Sequence, residues 1–155
     1  MMQEMPLYIS CRAFPVKERT GNKSVFITHS QGGAVGWDVD VENISAIIAI
    51  EPGGAPQVDS EQYKKLLEAK IPIIFYYGDY MENGPEEIMS SSFWSGIKAG
   101  SFAFAETYNA AGGDATVIDL PAIGITGNSH FMFQEMNNAE IADLVFSWLE
   151  NHGIQ

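Results

Sequence analysis

Three kinds of residue in this chain could together activate a nucleophile: a serine in a sharp turn, a histidine in a later loop and an acid at a strand end. Immediately after an apolar run, Thr28-His29-Ser30-Gln31-Gly32-Gly33 puts a serine at a strand-to-helix junction with a glycine two positions on. Such an elbow needs small residues because the turn is sharp. It lifts the hydroxyl above the sheet and aims the next backbone N–H, here that of Gln31, at the point where negative charge develops during acyl transfer. The helix N-terminus that follows adds a favourable field. Thr28 stands where this turn ordinarily has its first glycine, and the plainer reading is a polar turn with Ser30 as a cap. The preceding Val25-Phe26-Ile27-Thr28 run favours the nucleophile.

A serine hydroxyl is a weak nucleophile at neutral pH, so it needs a base within hydrogen-bond reach and an acid to orient that base. The chain has three histidines. His29 adjoins the serine, where elbow geometry turns its side chain away from the hydroxyl and suits it to packing or support. His152 lies at the end of the last helix, where positive charge suits the dipole. His130 remains, in the loop Gly124-Ile125-Thr126-Gly127-Asn128-Ser129-His130-Phe131-Met132 between the last strand and the last helix. Two acids end strands, Glu51 after Ser45–Ile50 and Asp79 after Ile73–Tyr77. Either could orient an imidazole, leaving the other as a loop cap or pocket residue. Periodicity does not choose between them.

These residues require a frame. Four short runs rich in β-branched and aromatic residues, Ser24–Thr28, Ser45–Ile50, Ile73–Tyr77 and Ala115–Leu120, predict strands. The second and third are apolar throughout, as in a parallel sheet covered on both faces. Helical patterns alternate with them, which implies βαβ crossovers. Ser60 caps Glu61-Gln62-Tyr63-Lys64-Lys65-Leu66-Leu67-Glu68-Ala69-Lys70, and Pro72 closes it. The run Phe93–Ala111 presents Trp94, Ile97, Phe102, Ala105 and Tyr108, and stops at Gly112-Gly113. In the last segment Asn137-Asn138-Ala139-Glu140 has the form of a capping box, with Ile141, Leu144, Val145, Trp148 and Leu149 as one stripe. Residues 1–23, interrupted by Pro6, Pro15 and Gly21, read as an irregular lead-in. The Gly/Pro-rich stretches Gly53–Gln57 and Tyr80–Glu86 follow strands and predict loops at their carboxyl ends, the edge where open α/β sheets bind ligands.

Composition bounds the function. At 155 residues and 46% hydrophobic content, the chain can build one core. A formal charge of −12, with Arg12, Lys17, Arg19 and Lys23 as half of the eight basic residues, argues against nucleic acid and against an anionic membrane surface. The single Cys11 excludes an intramolecular disulfide and a thiolate metal cluster. No charged n-region with an apolar stretch opens the chain and no window reaches the roughly 18 apolar residues of a span, so the expectation is a soluble, cytoplasmic protein without a signal peptide. Asp38 with Asp40, and Glu86-Glu87, lack an accompanying histidine and read as solvated charge, not a metal site.

The chain resembles the α/β-hydrolase superfamily, in particular a branch of bacterial esterases marked by a T-H-S-Q-x-G elbow, a strand ending in E-P-G, a G-D after the next strand and a G-N-S/T-H-x-M-x-Q-x-x-N-N block. The corresponding residues are Thr28–Gly33, Glu51-Pro52-Gly53, Gly78-Asp79 and Gly127–Asn138, in the same order. The resemblance implies Ser30 as nucleophile, His130 as base and Glu51 in preference to Asp79 as acid. It also implies an acyl-enzyme route for a carboxylic ester without metal or organic cofactor. It covers only the C-terminal half of that fold: about four parallel strands in a three-layer, Rossmann-like arrangement over residues 24–155. Only 29 residues precede Ser30, too few for the strands and the oxyanion-donating loop of the first half. Loss of one such donor costs about 2.7–4 kcal/mol in transition-state stabilisation. The strand edge beside Ser24–Thr28 is left open, which predicts a homo-oligomer or a partner carrying the missing half.

Trp37, Met81, Trp94, Phe131, Met132, Phe133 and Met136 flank the site in sequence and are candidates for an apolar pocket, although such residues more often belong to a core. No Lys or Arg neighbours Ser30, Glu51 or His130, which points to a small neutral ester. The competing readings are a noncatalytic remnant or interaction module, motivated by the missing half, and a flavodoxin-like ligand-binding domain, which lacks a phosphate-binding glycine loop and leaves the histidine block unexplained.

Overall fold

A computed structural model describes residues 23–80 and 91–154 of the chain. Most of the lead-in, Cys11, Met81 and Glu86-Glu87 lie outside them. Strand β1 (Ser24–His29) runs directly into a short helix α1 (Ser30–Val35), and 3-10 turns at Gly36–Asp38 and Val41–Asn43 lead to β2 (Ile44–Pro52). Helix α2 (Glu61–Glu68), β3 (Ile73–Tyr77), helix α3 (Ser91–Ala110) and β4 (Ala115–Asp119) follow. Turns at Leu120–Ile123 and Met132–Gln134 precede helix α4 (Asn138–Asn151). The strands pair in the order β1-β2-β3-β4, all parallel, so this is an α/β fold of four parallel strands flanked by helices.

The continuous apolar runs are explained by two cores, one on each face. Alternate residues of β2 and β3 go opposite ways: Ile47, Ala49, Ile73, Phe75 and Tyr77 meet Tyr63 and Leu66 of α2 and Phe104 and Tyr108 of α3. Ile48, Ile50, Ile74 and Tyr76 meet Ile141 and Trp148 of α4 together with Leu120 and Met132. Period-two alternation therefore serves two apolar layers instead of one layer and solvent. The Asn109 amide donates to the Ala115 carbonyl at 2.8 Å and accepts from its N–H at 2.7 Å, which locks the end of α3 to the start of β4.

Three expectations are corrected. On α3 the inward stripe is Lys98, Ser101, Phe104, Ala105 and Tyr108, while Phe102 faces solvent. Lys98 is admitted because Asp119 Oδ2 lies 2.9 Å from its ammonium, and Ser101 because its hydroxyl bonds the buried Tyr77 hydroxyl at 2.7 Å. At α4, Asn137 makes no side-chain cap, since its amide is engaged elsewhere. In the elbow, the glycine two places after the serine is not the one under steric demand: a Cβ on Gly32 would meet nothing within 4 Å, whereas one on Gly33 would lie 2.4 Å from Pro52 Cβ. Asp40 is a turn cap, accepting from Glu42 N–H at 3.1 Å and from the Asn43 amide at 2.6 Å.

Among the described residues no helix is long and apolar enough to cross a membrane. The paired variants Gly33→Ala and Gly32→Ala test the close approach of α1 to β2. Overpacking at Gly33 is expected to cost about 1–3 kcal/mol. Gly32→Ala is expected to be neutral or stabilising by up to about 1 kcal/mol. Thermal unfolding followed by circular dichroism checks both, and equal melting temperatures would refute the contact.

Candidate active site

The site is built by register. His29 stands opposite Ile50 and Ile50 opposite Tyr76, so the carboxyl ends of β1, β2 and β3 lie side by side and Ser30, Glu51 and Gly78 follow at one edge. Ser30 at φ 53° and Glu51 at φ 39° both occupy the left-handed region, which is unfavourable for L-residues outside special turns. The chain turns off the sheet at both points. The Glu51-Pro52-Gly53 run holds the two turns together: Gly53 N–H donates to the Ser30 carbonyl at 2.7 Å, Pro52 bridges to Ser30 as an isolated parallel pair, and Pro52 abuts Gly33.

Above this edge sits the imidazole of His130. Its Nε2 lies 2.8 Å from Ser30 Oγ and its Nδ1 2.6 Å from Glu51 Oε2. Because a carboxylate only accepts, Nδ1 carries the proton and Nε2 is left to accept from the serine hydroxyl. The other Glu51 oxygen, Oε1, accepts from Gly78 N–H at 2.7 Å. A side chain at Gly78 would not fit, since its Cβ would stand 2.7 Å from the Asn128 carbonyl and 3.0 Å from Glu51 Oε1.

Asp79, the other acid considered, does not meet the imidazole in this arrangement. Its two oxygens accept from Gly127 N–H at 3.0 Å and Asn128 N–H at 2.7 Å, so it clamps the loop that delivers His130. Asn128, fully buried, exchanges paired amide bonds of 2.9 and 3.1 Å with Asn137, tying the same loop to the start of α4. Glu135 accepts from both the hydroxyl and the N–H of Ser129. The Gly127–Asn138 block contains these braces, but Asn128, Ser129 and Asn137 belong to a polar string, and polarity alone does not say which side chain turns inward.

Burial sets the electrostatics. Glu51 has no solvent exposure, and desolvation pushes its carboxyl from the ordinary 4.5 up to about 7, opposed by the Gly78 hydrogen bond and Lys98 and reinforced by Asp79. Desolvation also lowers His130 below its ordinary value, keeping the imidazole neutral and able to accept a proton. Trp94 packs against the His130 ring with centroids 4.8 Å apart.

The pocket candidates separate. Phe131 is 47% exposed, with its ring 5.3 Å from that of His130, and Phe133 stands 6.0 Å from Phe131. Met132 is fully buried in the core under α4, and Trp37 is core against Phe75 and Phe104, its indole donating to the Gly54 carbonyl at 2.8 Å. Trp37 also borders a cavity of about 270 Å³ with Ala34, Asp38, Pro56 and Gln57, which Ser30 does not line. Met136 projects fully into solvent. Met81 lies outside the described residues.

No model of a known protein family matches the chain. It is similar to "Probable secreted lipase phiG" of Fungal sp. (strain ATCC 74256), 26% identical over an alignment 163 positions long, gaps included, that covers 80% of this chain and 45% of the relative. Among solved structures it is similar to one described as "The Atomic Resolution Structure of a Novel Bacterial Esterase", with 33% identity and a TM-score of 0.71 over 84% of this chain and 39% of that one. These relatives support an α/β-hydrolase-like family. The chain spans less than half the length of either relative.

The raised carboxyl gives a stability test with a definite sign. The protonated form of Glu51 is the one favoured by folding, so its contribution is complete below about pH 4.5 and is lost as pH rises through about 7. Glu51→Gln does not titrate there. Relative to wild type the variant is expected to gain up to about 3 kcal/mol between those limits. Urea unfolding at pH 4.5 and pH 8 measures it, and a pH-independent difference would rule out the upward shift.

Proposed function

We propose that the chain is a serine carboxylic-ester hydrolase that acts through an acyl-enzyme on a small neutral ester, with Ser30 as nucleophile, His130 as base and Glu51 as the acid that orients it. The observation that carries the reading is the single imidazole bonded at once to Ser30 Oγ and Glu51 Oε2, over a serine held at positive φ where strand meets helix. The relatedness to a lipase and an esterase supports it from a separate direction.

In this mechanism His130 Nε2 takes the hydroxyl proton as Ser30 Oγ attacks the ester carbonyl carbon. Negative charge moves to the carbonyl oxygen, where the Gln31 N–H donates. As the tetrahedral species collapses, His130 returns the proton to the leaving alkoxide and the acyl group stays on Ser30. Water then attacks the acyl carbon with His130 again as base, releasing the acid and restoring Ser30. Above about pH 7 Glu51 is ionised and stabilises the imidazolium in each step. No metal or organic cofactor enters this route. Phe131 supplies an apolar wall beside the base.

A second reading, a noncatalytic remnant or interaction module, is favoured by the span of less than half of either relative. In it, as in a weakened enzyme, β1 ends the sheet among the described residues, with Ile27 58% exposed, and a second copy or a partner carrying further strands would pair there. Such a partner would also be the source of a second oxyanion donor.

Intact-mass detection of a fluorophosphonate adduct separates the readings. Labelling is expected on the wild type and is expected to vanish in Ser30→Ala. Its rate is expected to rise with pH and level off above about 7, as the coupled Glu51–His130 pair reaches its anionic-acid, neutral-base form. Glu51→Gln is expected to slow labelling by roughly 100-fold or more, from loss of the tautomer that accepts the hydroxyl proton. Asp79→Asn should have the smaller effect. A folded wild type that takes no label would favour the noncatalytic module, and a greater loss in Asp79→Asn would reassign the acid.

A further inference from the structure

We propose that His29, the residue before the nucleophile, is a positioning residue for the base. Its imidazole ties the backbone of His130 to the end of the strand that carries Ser30. The proposal rests on the serine-hydrolase reading above and adds a residue to it.

His29 Nε2 lies 2.7 Å from the backbone carbonyl oxygen of His130. A carbonyl only accepts, so Nε2 carries the proton and donates. The two consecutive residues of the elbow therefore grip His130 at two separate points: Ser30 Oγ at its ring nitrogen and His29 at its main chain. The His29 ring also stands 4.5 Å from the His130 ring and 5.0 Å from each of Phe131 and Phe133, so it touches three residues of the segment that leaves the site. Burial lowers the His29 pKa, which favours the neutral ring.

The segment needs such a tie. Between the turn ending at Ile123 and that beginning at Met132 the backbone has no helix or strand ladder to fix its dihedral angles. Asp79 holds it at Gly127 and Asn128, three and two residues upstream of the base, Asn137 and Glu135 hold the Asn128 and Ser129 side chains, and the Phe131 N–H bonds to the nearby Ser129 hydroxyl at 3.2 Å. Among the described residues, the His29 bond is the direct link between the His130 main chain and the sheet edge that carries the nucleophile. A displacement of about 1 Å between reacting groups costs on the order of 100-fold in rate.

Three variants separate the hydrogen bond from the ring. His29→Phe keeps the ring and removes the donor. His29→Asn places an amide at the Nδ1 position, short of the carbonyl, and His29→Gln places one at the Nε2 position, within reach of it. With p-nitrophenyl butyrate as the probe, kcat is expected to fall roughly 10- to 100-fold in the Phe and Asn variants with KM little changed, and to recover in the Gln variant to within a few-fold of wild type. The low-field Nδ1 proton of His130 in ¹⁵N-histidine-labelled protein gives an activity-independent reading: present in wild type and His29→Gln, broadened or lost in His29→Phe and His29→Asn. An unchanged Nδ1 proton in a folded His29→Phe would overturn the proposal. A Gln variant as impaired as the Phe variant would also overturn it, by assigning the effect to ring packing. If wild type neither turns over nor labels at Ser30 while the proton follows the expected pattern, the hydrolase reading fails and the positioning role stands.

Discussion

A carboxylate with no access to water, Glu51, is the constraint around which the rest of this structure is arranged. Its burial would be prohibitive without compensation, and each oxygen has one defined partner: Gly78 N–H on one side and the His130 imidazole on the other. Those partners impose further conditions. Gly78 must lack a side chain, because Asn128 occupies the space beside it, and Asn128 must be held by Asp79 and Asn137 for its loop to stay there. A single buried acid thus dictates residues on β2, after β3, in the last loop and at the start of α4.

The strain in the site has the same origin. Two neighbouring parallel strands that end in register would normally continue into loops with ordinary dihedral angles. Here both leave the sheet through the left-handed region, at Ser30 and at Glu51. Each turn is braced against the other through the Gly53 hydrogen bond and the contact between Pro52 and Gly33. The Glu-Pro-Gly run therefore does three jobs with three consecutive residues: it supplies a carboxylate, a packing face and a backbone donor. Glu51 reaches the imidazole from the strand next to the one that runs into Ser30, so the whole constellation spans only adjacent strands and one loop.

The sheet is covered unevenly along its width. Over β2 and β3 both layers are covered and the apolar side chains are almost entirely buried. Among the described residues the cover thins toward β1, where Ile27 has more than half of its surface exposed.

The sequence by itself determined the strands, their parallel arrangement and the side chains that meet at the sheet edge. Continuous β-branched runs separated by helical periods have few other solutions, and a serine in a tight turn, a loop histidine and strand-end acids are local signals. Periodicity nominated both acids without choosing, and the family resemblance favoured Glu51, but neither shows which groups each acid meets. Only tertiary structure did that, because the choice depends on which oxygen meets which N–H across separations of tens of residues: Glu51 to His130 and Asp79 to the loop before it. The same holds for Lys98 and Ser101, polar residues on the buried stripe of α3, and for Trp37 and Met132, apolar residues that fill the core and not the pocket. Hydrophobicity records that a side chain is buried, while its direction is set by packing between elements that are distant in the chain.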